Sequence, residues 1–282
     1  NIAVVTNVEW DHPDFFPTEG DLFRSFSHFA GLINGVMVAC ADDPGALRLG
    51  ETINDIENTY YGINSPAAQL KALEIRRGVS GYRFAVQEGQ TPLGEVELAI
   101  PGRHNVLNAL GALRAVMIYG VPFEDAARAL ESFAGTGRRF DLRGEVNDVT
   151  VIDDYAHHPT AIRATLEAAR GRFPGHHVWA VWQPHTYSRT QALWDAYTTA
   201  FMDADHVVVT PIYAAREQAV EGVTAERLVS AMSHRDAVYA PSLDAAADLL
   251  LAQVESPAVI VIMSAGDAPK IGEQYLFKKA MG

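Results

Sequence analysis

The second half of the chain alternates short apolar runs with amphipathic segments, and this pattern constrains the fold more than any other feature. Each apolar run is followed by a segment whose apolar residues recur at the 3.6-residue spacing of a helix. Alternating buried strands and helices form a mostly parallel sheet that helices cover on both faces. We therefore predict an α/β domain with a doubly wound sheet, built on VTVID (149–153), VWAVW (178–182), HVVVTP (206–211), AVYA (237–240) and VIVIM (259–263).

The first half has a less regular pattern. Its short β-type runs after residue 57 are separated by glycine, serine and proline, which is typical of hairpins. We predict a buried strand over 2–6, a helix over 19–33, a strand over 36–40, hairpins over 57–100 and helices from His104 and over 121–133. The segment AGTGR (134–138) is a plausible hinge, so we expect one domain over residues 1–135 and a second over 136–282.

The composition excludes several classes of function. The 22 basic and 35 acidic residues give a net charge of −13, which opposes binding to nucleic acid or to an anionic membrane surface. No run of about 18 apolar residues is present, so we expect no membrane span. The single cysteine cannot form a disulfide within the chain and suits a reducing cytosol, so we expect a cytoplasmic protein.

Polar side chains follow four of the apolar runs in the second half. In doubly wound sheets, ligands bind beyond the carboxyl ends of the strands, so these turns predict a ligand site at one edge. Arg189 near a helix start suits an anionic ligand, because the helix dipole alone would disfavour a cation there. The alternative is that the turns are polar loops with capping residues. The side chains concerned are Asp153, Asp154, His157, His158, His185, Arg189, Tyr213, Arg216, Glu217, Asp267 and Lys270.

Three further motifs carry candidate ligand residues in and just after the first half. VTNVEWDHPD (5–14) combines His12 with carboxylates, which suits Mg²⁺, although an acidic capping loop explains it equally well. PGRHNVLNAL (101–110) places His104, Asn105 and Asn108 at a helix start; Asn105 and Asn108 share a face and would suit an adenine edge, or act as caps. GTGRRFDLRGE (135–145) adds Arg138, Arg139 and Arg143, which would face phosphate or carboxylate groups.

Together with DDYAHHPT, QPHTYSRT, IYAARE and SAGD, these motifs resemble the Mur ligases, the ATP-dependent amide-forming enzymes of peptidoglycan assembly. The resemblance runs from the first residues to the last thirty. It implies that residues 1 to about 135 are the rest of a central P-loop-type ATPase domain and that 136–282 form a Rossmann-like C-terminal domain. The family's phosphate loop, GTxGKT, is absent from the sequence, and the chain begins on a strand without methionine. We therefore expect a truncated form that is inactive alone.

The resemblance also implies a role for each site residue. His12 would bind Mg²⁺, and Asn105 and Asn108 would flank the adenine of ATP with His104 beside them. Arg139 would approach the γ-phosphate, and Asp154 would bind the ribose. The incoming amino acid would be held by His158 and Arg189, with Tyr155, His157 and His185 orienting the site.

Within the family, the motifs are most similar to those of members that join L-alanine to UDP-N-acetylmuramate through an acyl phosphate. One position departs from that pattern: Thr186 stands where the family commonly has arginine, and Arg216 is an alternative cation. WDHPDFF and DDYAHHPTAI also resemble ligases that recycle a murein tripeptide. A non-catalytic module that binds ATP or an amino acid is a further alternative. A zinc hydrolase is the most distant one, because no His-x-x-x-His pair with a glutamate base is present.

Overall fold

The computed structural model describes residues 1–53, 55–78 and 81–281. The chain forms two compact units, Asn1–Ala134 and Gly135–Gly282. Each unit contains a six-stranded sheet with helices on both faces. The predicted α/β class is therefore confirmed. Within the described ranges, we find no helix of sufficient length and apolar character to cross a membrane.

The first unit has the strand order β1-β2-β3-β4-β5-β6, parallel from β1 to β4 and antiparallel from β4 to β6. Helices α3 and α4 cover one face, and α1 and α2 cover the other. Its elements are β1 (Ile2–Val5), α1 (Glu19–Gly31), β2 (Val36–Cys40), α2 (Pro44–Thr52), β3 (Glu57–Gly62), β4 (Leu70–Arg77), β5 (Tyr82–Glu88), β6 (Thr91–Leu98), α3 (Arg103–Ile118) and α4 (Phe123–Glu131).

Three features of the first unit differ from the predictions. The hairpin prediction is right for β4 to β6 but wrong for β3, which pairs parallel to both of its neighbours. Helix α2, which makes the crossover from β2 to β3, was not predicted, although Asp43 caps it and Pro44 opens it. The buried-strand prediction for residues 2–6 is wrong about burial. Among the residues that the structure describes, β1 is an edge strand that pairs with β2 alone, and Val4 is 42% exposed.

The second unit has the strand order β11-β10-β9-β12-β8-β7, and only β7 is antiparallel to its neighbour. One apolar core packs against each face of this sheet, which confirms the predicted doubly wound arrangement. Its elements are β7 (Asp141–Val146), β8 (Val149–Asp154), α5 (Pro159–Arg172), β9 (His177–Trp182), α6 (Tyr187–Ala192), α7 (Trp194–Thr198), β10 (His206–Val209), α8 (Ala225–Ala231), β11 (Ala237–Tyr239), α9 (Leu243–Gln253), β12 (Ala258–Met263) and α10 (Pro269–Met281).

In the second unit, strand β7 was not predicted, and the helix after β9 differs from its prediction. Strand β7 has exposed and polar residues because it lies at the sheet edge, and it joins β8 through Asn147 and Asp148, both at positive φ. That backbone conformation is typical of a two-residue hairpin turn. The helix predicted from about Arg189 begins at Tyr187 instead, and it is divided at Leu193 into α6 and α7.

Candidate functional site

The carboxyl ends of the central strands in the second sheet lie side by side. Because β12 lies between β8 and β9, the turns after these three strands adjoin one another. Backbone bonds continue beyond the strands: Ser264 N–H donates to Asp154 O at 3.0 Å, and Gln183 N–H donates to Met263 O at 3.1 Å. The structure thus brings the turns that carry the predicted strand-end residues to one edge.

Asp154 is held by backbone amides at this edge. Its Oδ2 accepts the N–H of Phe140 at 2.7 Å, its Oδ1 accepts the N–H of Ala156 at 2.8 Å, and the residue is only 6% exposed. Burial raises the pKa of the Asp154 carboxyl, although these bonds and Arg139 oppose the effect. In this structure the carboxylate fixes the segments before β7 and after β8, so a ribose hydroxyl would have to share its oxygens.

The neighbouring Asp153 pairs with Arg138. Arg138 donates from Nε to Asp153 Oδ2 at 3.1 Å and from its terminal nitrogen to Ser264 O at 2.6 Å. Asp153 is 2% exposed, and its Oδ1 has no hydrogen-bond partner among the described residues. Burial raises the pKa of this carboxyl above its ordinary value, and Arg138 offsets only part of that effect. The pair ties residue 138 to the ends of β8 and β12.

Two guanidinium groups lie over the ring of Tyr155. The Arg138 and Arg139 guanidinium carbons lie 5.1 and 5.3 Å from the ring centroid, distances at which a cation is attracted to an aromatic face. Arg139 is exposed, so its charge is available to an anionic ligand. His157 meets the same ring edge-on at 5.3 Å. The turn after β8 therefore presents cations and aromatic rings together.

The two histidines of DDYAHHPT have different surroundings. The His157 Nδ1 lies 2.9 Å from Tyr155 O, a carbonyl that can only accept, so this nitrogen carries the hydrogen. The His157 ring is 6.1 Å from that of His185. His158 caps α5, where its Nδ1 accepts the N–H of Thr160 at 3.3 Å. Among the predicted site residues, it is thus His157 that faces His185.

His185 and Arg189 form the other side of this histidine pair. The Arg189 guanidinium donates to His185 Nδ1 at 2.9 Å and to His185 O at 3.3 Å, and Arg189 is 3% exposed. Because arginine only donates, Nδ1 of His185 accepts, and Nε2 carries the hydrogen in the neutral ring. His185 also stacks on Tyr213, with ring centroids 5.7 Å apart. The ring is therefore fixed on two sides.

A buried glutamine that the sequence patterns did not single out organises the turn after β12. Gln183 Oε1 accepts the Ser264 hydroxyl at 2.8 Å and the N–H groups of Asp267 at 3.1 Å and Ala268 at 3.2 Å. Its Nε2 donates to Asp267 Oδ1 at 2.9 Å. Its position directly after the apolar run VWAVW could have identified Gln183 as a strand-end residue. Gln183 shapes the SAGD turn at this edge.

Not all of the predicted cations face this site. Arg143 lies 3.5 Å from Asp141 and 3.9 Å from Glu273, on the outer part of β7. Lys270 lies 3.5 Å from Asp267. Arg216 is exposed. The structure therefore brings Arg138, Arg139 and Arg189 to the edge and pairs Arg143 elsewhere.

In the first unit, His12 lies in an exposed loop after β1. Its side chain is 60% exposed, 3.8 Å from Asp11 and 3.9 Å from Asp14. Asp43, the cap of α2, accepts the N–H of Val8 at 3.0 Å and so ties this loop to the helix. Across residues 1–53, 55–78 and 81–281 no group of three or more histidine, cysteine or acidic side chains could hold a metal ion by itself.

Asn105 and Asn108 contact each other on α3, as their spacing predicts. Asn108 Nδ2 donates to Asn105 Oδ1 at 3.2 Å, and Asn105 Nδ2 donates to Pro101 O at 2.6 Å. The His104 ring folds over Gly102, whose φ of +96° suits a residue without a side chain, and a Cβ there would lie 2.3 Å from the ring. This arrangement leaves the Asn108 amide exposed at the start of the helix.

Two family profiles match the chain. The Mur ligase middle domain matches residues 1–116, and the Mur ligase, glutamate ligase domain matches residues 138–266. A UDP-N-acetylmuramate–L-alanine ligase of Acetivibrio thermocellus is 38% identical over 99% of this chain. The protein of the same name in Bdellovibrio bacteriovorus is 38% identical over 98%. The chain spans 60% and 61% of the lengths of these relatives.

Solved structures show the same fold. The UDP-N-acetylmuramate-alanine ligase of Thermotoga maritima matches all of this chain and 60% of its own, with a TM-score of 0.77 and 22% identity. A murein peptide ligase of Psychrobacter arcticus matches 99% of this chain and 57% of its own, with a TM-score of 0.68 and 24% identity. The MurF ligase of Thermotoga maritima in complex with ADP matches 99% and 62%, with a TM-score of 0.75 and 18% identity.

Proposed function

Because the chain belongs to the Mur ligase family, we propose that it is the nucleotide- and amino-acid-binding part of an ATP-dependent UDP-N-acetylmuramate–L-alanine ligase. The observation that carries the proposal is the edge of the second sheet, where His157, His185 and Arg189 come together beside Arg139. The carboxylate of an amino acid would bind Arg189 and the Nε2–H of His185, and a phosphate of ATP would bind Arg139. We place the reaction in the cytoplasm, where peptidoglycan precursors are made.

The proposed reaction has two steps. A carboxylate oxygen of the muramyl lactyl group attacks the γ-phosphorus of ATP, and ADP leaves, which gives an acyl phosphate. The amine of L-alanine then attacks the acyl carbon and forms a tetrahedral intermediate. This intermediate loses a proton and expels phosphate, so an amide replaces the carboxylate. Positioning and charge neutralisation supply most of the acceleration in phosphoryl transfer.

The second unit would bind the amino acid and part of the nucleotide. Arg189 supplies a buried positive charge for the amino-acid carboxylate, and His185 is held against it with hydrogen on Nε2. Arg139, exposed over Tyr155, supplies charge for the γ-phosphate. His158 remains a proposed contact to the amino acid, and Asp154 a proposed contact to the ribose. Asp154 also fixes the turn, through its bonds to Phe140 and Ala156.

The first unit would bind the adenine and the metal. The exposed amide of Asn108, next to Asn105, presents hydrogen-bonding groups to an adenine edge, with His104 alongside. His12 would be the ligand to Mg²⁺ in this unit, because Mg²⁺ takes few protein ligands and completes its shell with water and phosphate oxygens. When bound, Mg²⁺ would neutralise the phosphate charge that develops during transfer.

Phosphate release by the full-length protein tests the proposal. With ATP, Mg²⁺ and UDP-N-acetylmuramate present, we expect release to depend on L-alanine. A preference for L-alanyl-γ-D-glutamyl-meso-diaminopimelate instead would identify a recycling ligase, which the DDYAHHPTAI motif also resembles. Binding of ATP or alanine without any turnover would identify a non-catalytic module.

A further inference from the structure

The Glu217 carboxylate is bonded to the first turn of α6. Its Oε2 accepts the N–H of Ser188 at 2.8 Å, and its Oε1 accepts the Ser188 hydroxyl. Burial raises the pKa of Glu217, but bonds from Ser188, the Tyr187 N–H and the Thr186 side chain outweigh it and hold that pKa below its ordinary value. An ionised carboxylate here satisfies amides that the helix start would otherwise leave unpaired.

Backbone bonds join the same two turns. The N–H of Tyr213 donates to Pro184 O at 2.8 Å, and the N–H of Thr186 donates to Tyr213 O at 2.9 Å. The ring of His185 stacks on that of Tyr213. The loop after β10 is therefore bonded to the turn after β9 at Tyr213 and again at Glu217, and we call this set of contacts the brace.

The braced turn contains a strained residue. Thr186 has a φ of +64°, a left-handed conformation that costs a non-glycine residue about 1 kcal/mol or more. Such a conformation persists only where surrounding contacts enforce it. Thr186 directly follows His185 and lies three residues before Arg189, so relaxation of its backbone would move these two side chains relative to each other.

We propose that Glu217 is a positioning residue that holds the 185–189 turn in the form that receives the amino-acid carboxylate. Both carboxylate oxygens of Glu217 accept hydrogen bonds from Ser188, so Glu217 would act through the positions of His185 and Arg189. The inference rests on the proposed function and deepens it. It assigns Glu217, in the loop after β10, a role in the proposed amino-acid site.

Amino-acid kinetics in the full-length protein test this role. Glu217→Ala removes both acceptors, and we expect it to raise the KM for L-alanine roughly tenfold or more while the KM for ATP changes less than about twofold. Glu217→Gln keeps one acceptor and a matching shape, so it should restore most of the affinity. A merely structural role would lower stability without separating the two KM values.

Asp205 offers a matched control in the same unit. It also accepts a backbone N–H, from Val178 at 2.8 Å, and pairs with Arg170 at 2.9 Å. However, it lies just before β10, at the amino end of that strand, whereas the proposed site lies at the carboxyl ends. Asp205→Ala should lower stability and leave the KM for L-alanine within about twofold of wild type. An equal rise in that KM for Asp205→Ala and Glu217→Ala would overturn the inference.

Amide hydrogen exchange tests the contact without any assay of activity. In Glu217→Ala, the Ser188 N–H should exchange roughly tenfold faster than in the wild type, because it loses its acceptor. Unchanged exchange at Ser188 would refute the brace. If the wild type turns over normally and Glu217→Ala has the same KM for L-alanine, the positioning role is refuted and the proposed function stands. If the wild type shows no alanine-dependent turnover, the proposed function fails as well.

Discussion

The guanidinium of Arg189 donates to Nδ1 of His185 at 2.9 Å, and this contact fixes the hydrogen of the neutral imidazole on Nε2. His185 lies in the turn between β9 and α6, Arg189 lies in α6, and Arg189 is almost completely buried. A buried cation that also orients a neighbouring donor is suited to bind a small carboxylate.

Replacing Arg189 with lysine tests the need for the guanidinium. A lysine keeps the charge but lacks the several N–H groups that the guanidinium holds in one plane. One terminal nitrogen of that plane donates to both Nδ1 and the carbonyl of His185. We expect the KM for L-alanine to rise roughly tenfold or more, with little change for ATP. Arg163→Lys, at an exposed position on α5, is the control. Steady-state kinetics that show equal effects for both variants would contradict this assignment.

Replacing Gln183 with methionine tests the turn after β12. Methionine fills a similar volume but leaves the Ser264 hydroxyl and two backbone N–H groups without their acceptor. We expect the free energy of unfolding to fall by about 2–4 kcal/mol, measured by denaturant titration. Gln253→Met, on an exposed side chain at the end of α9, should change it by less than about 0.5 kcal/mol.

The Asp153 carboxyl predicts a pH dependence of stability. Burial raises its pKa above the ordinary 3.8, so between 3.8 and the folded value the native chain holds a proton that the unfolded chain has lost. The contribution of this group to the free energy of unfolding therefore falls as pH rises through that window and is constant above it. The free energy of unfolding of the wild type minus that of Asp153→Asn should therefore fall as pH rises through this window. An increase with pH would show that the pairing with Arg138 outweighs burial.

Asn108 on α3 tests the adenine site. Asn108→Ala removes an exposed amide while leaving the bond from Asn105 to Pro101 in place. We expect the affinity for ATP, measured by calorimetry, to fall roughly tenfold, with the fold unchanged. Gln90→Ala, which removes an exposed amide from the turn between β5 and β6, should leave the affinity unaltered. Equal affinities for all three proteins would place the adenine elsewhere.

Local patterns were sufficient to predict the parallel core of the second sheet, because its strands are short, continuous and apolar. The same patterns missed β7, whose edge position leaves polar and exposed residues in the strand. They also missed α2, a nine-residue helix that contains Gly45 and Gly50, because glycine is unfavourable inside a helix. Strand direction failed at β3, because the pairing partner depends on the crossover and not on composition.

The candidate site shows a similar division. The strand-end rule identified the edge, and the spacing of Asn105 and Asn108 correctly predicted a shared face. The sequence did not reveal which histidine faces His185, nor that the oxygens of Asp154 are bonded to the backbone N–H groups of residues 140 and 156. These contacts join residues from different turns, so they depend on tertiary structure.

Isotope transfer tests the central claim most directly. The full-length protein would be given UDP-N-acetylmuramate with ¹⁸O in both lactyl carboxylate oxygens, together with ATP, Mg²⁺ and L-alanine. An acyl-phosphate route predicts that one ¹⁸O leaves with the released phosphate and the other remains in the new amide, both detectable by mass spectrometry. Released phosphate without ¹⁸O, or turnover that does not require L-alanine, would contradict the proposed ligase reaction.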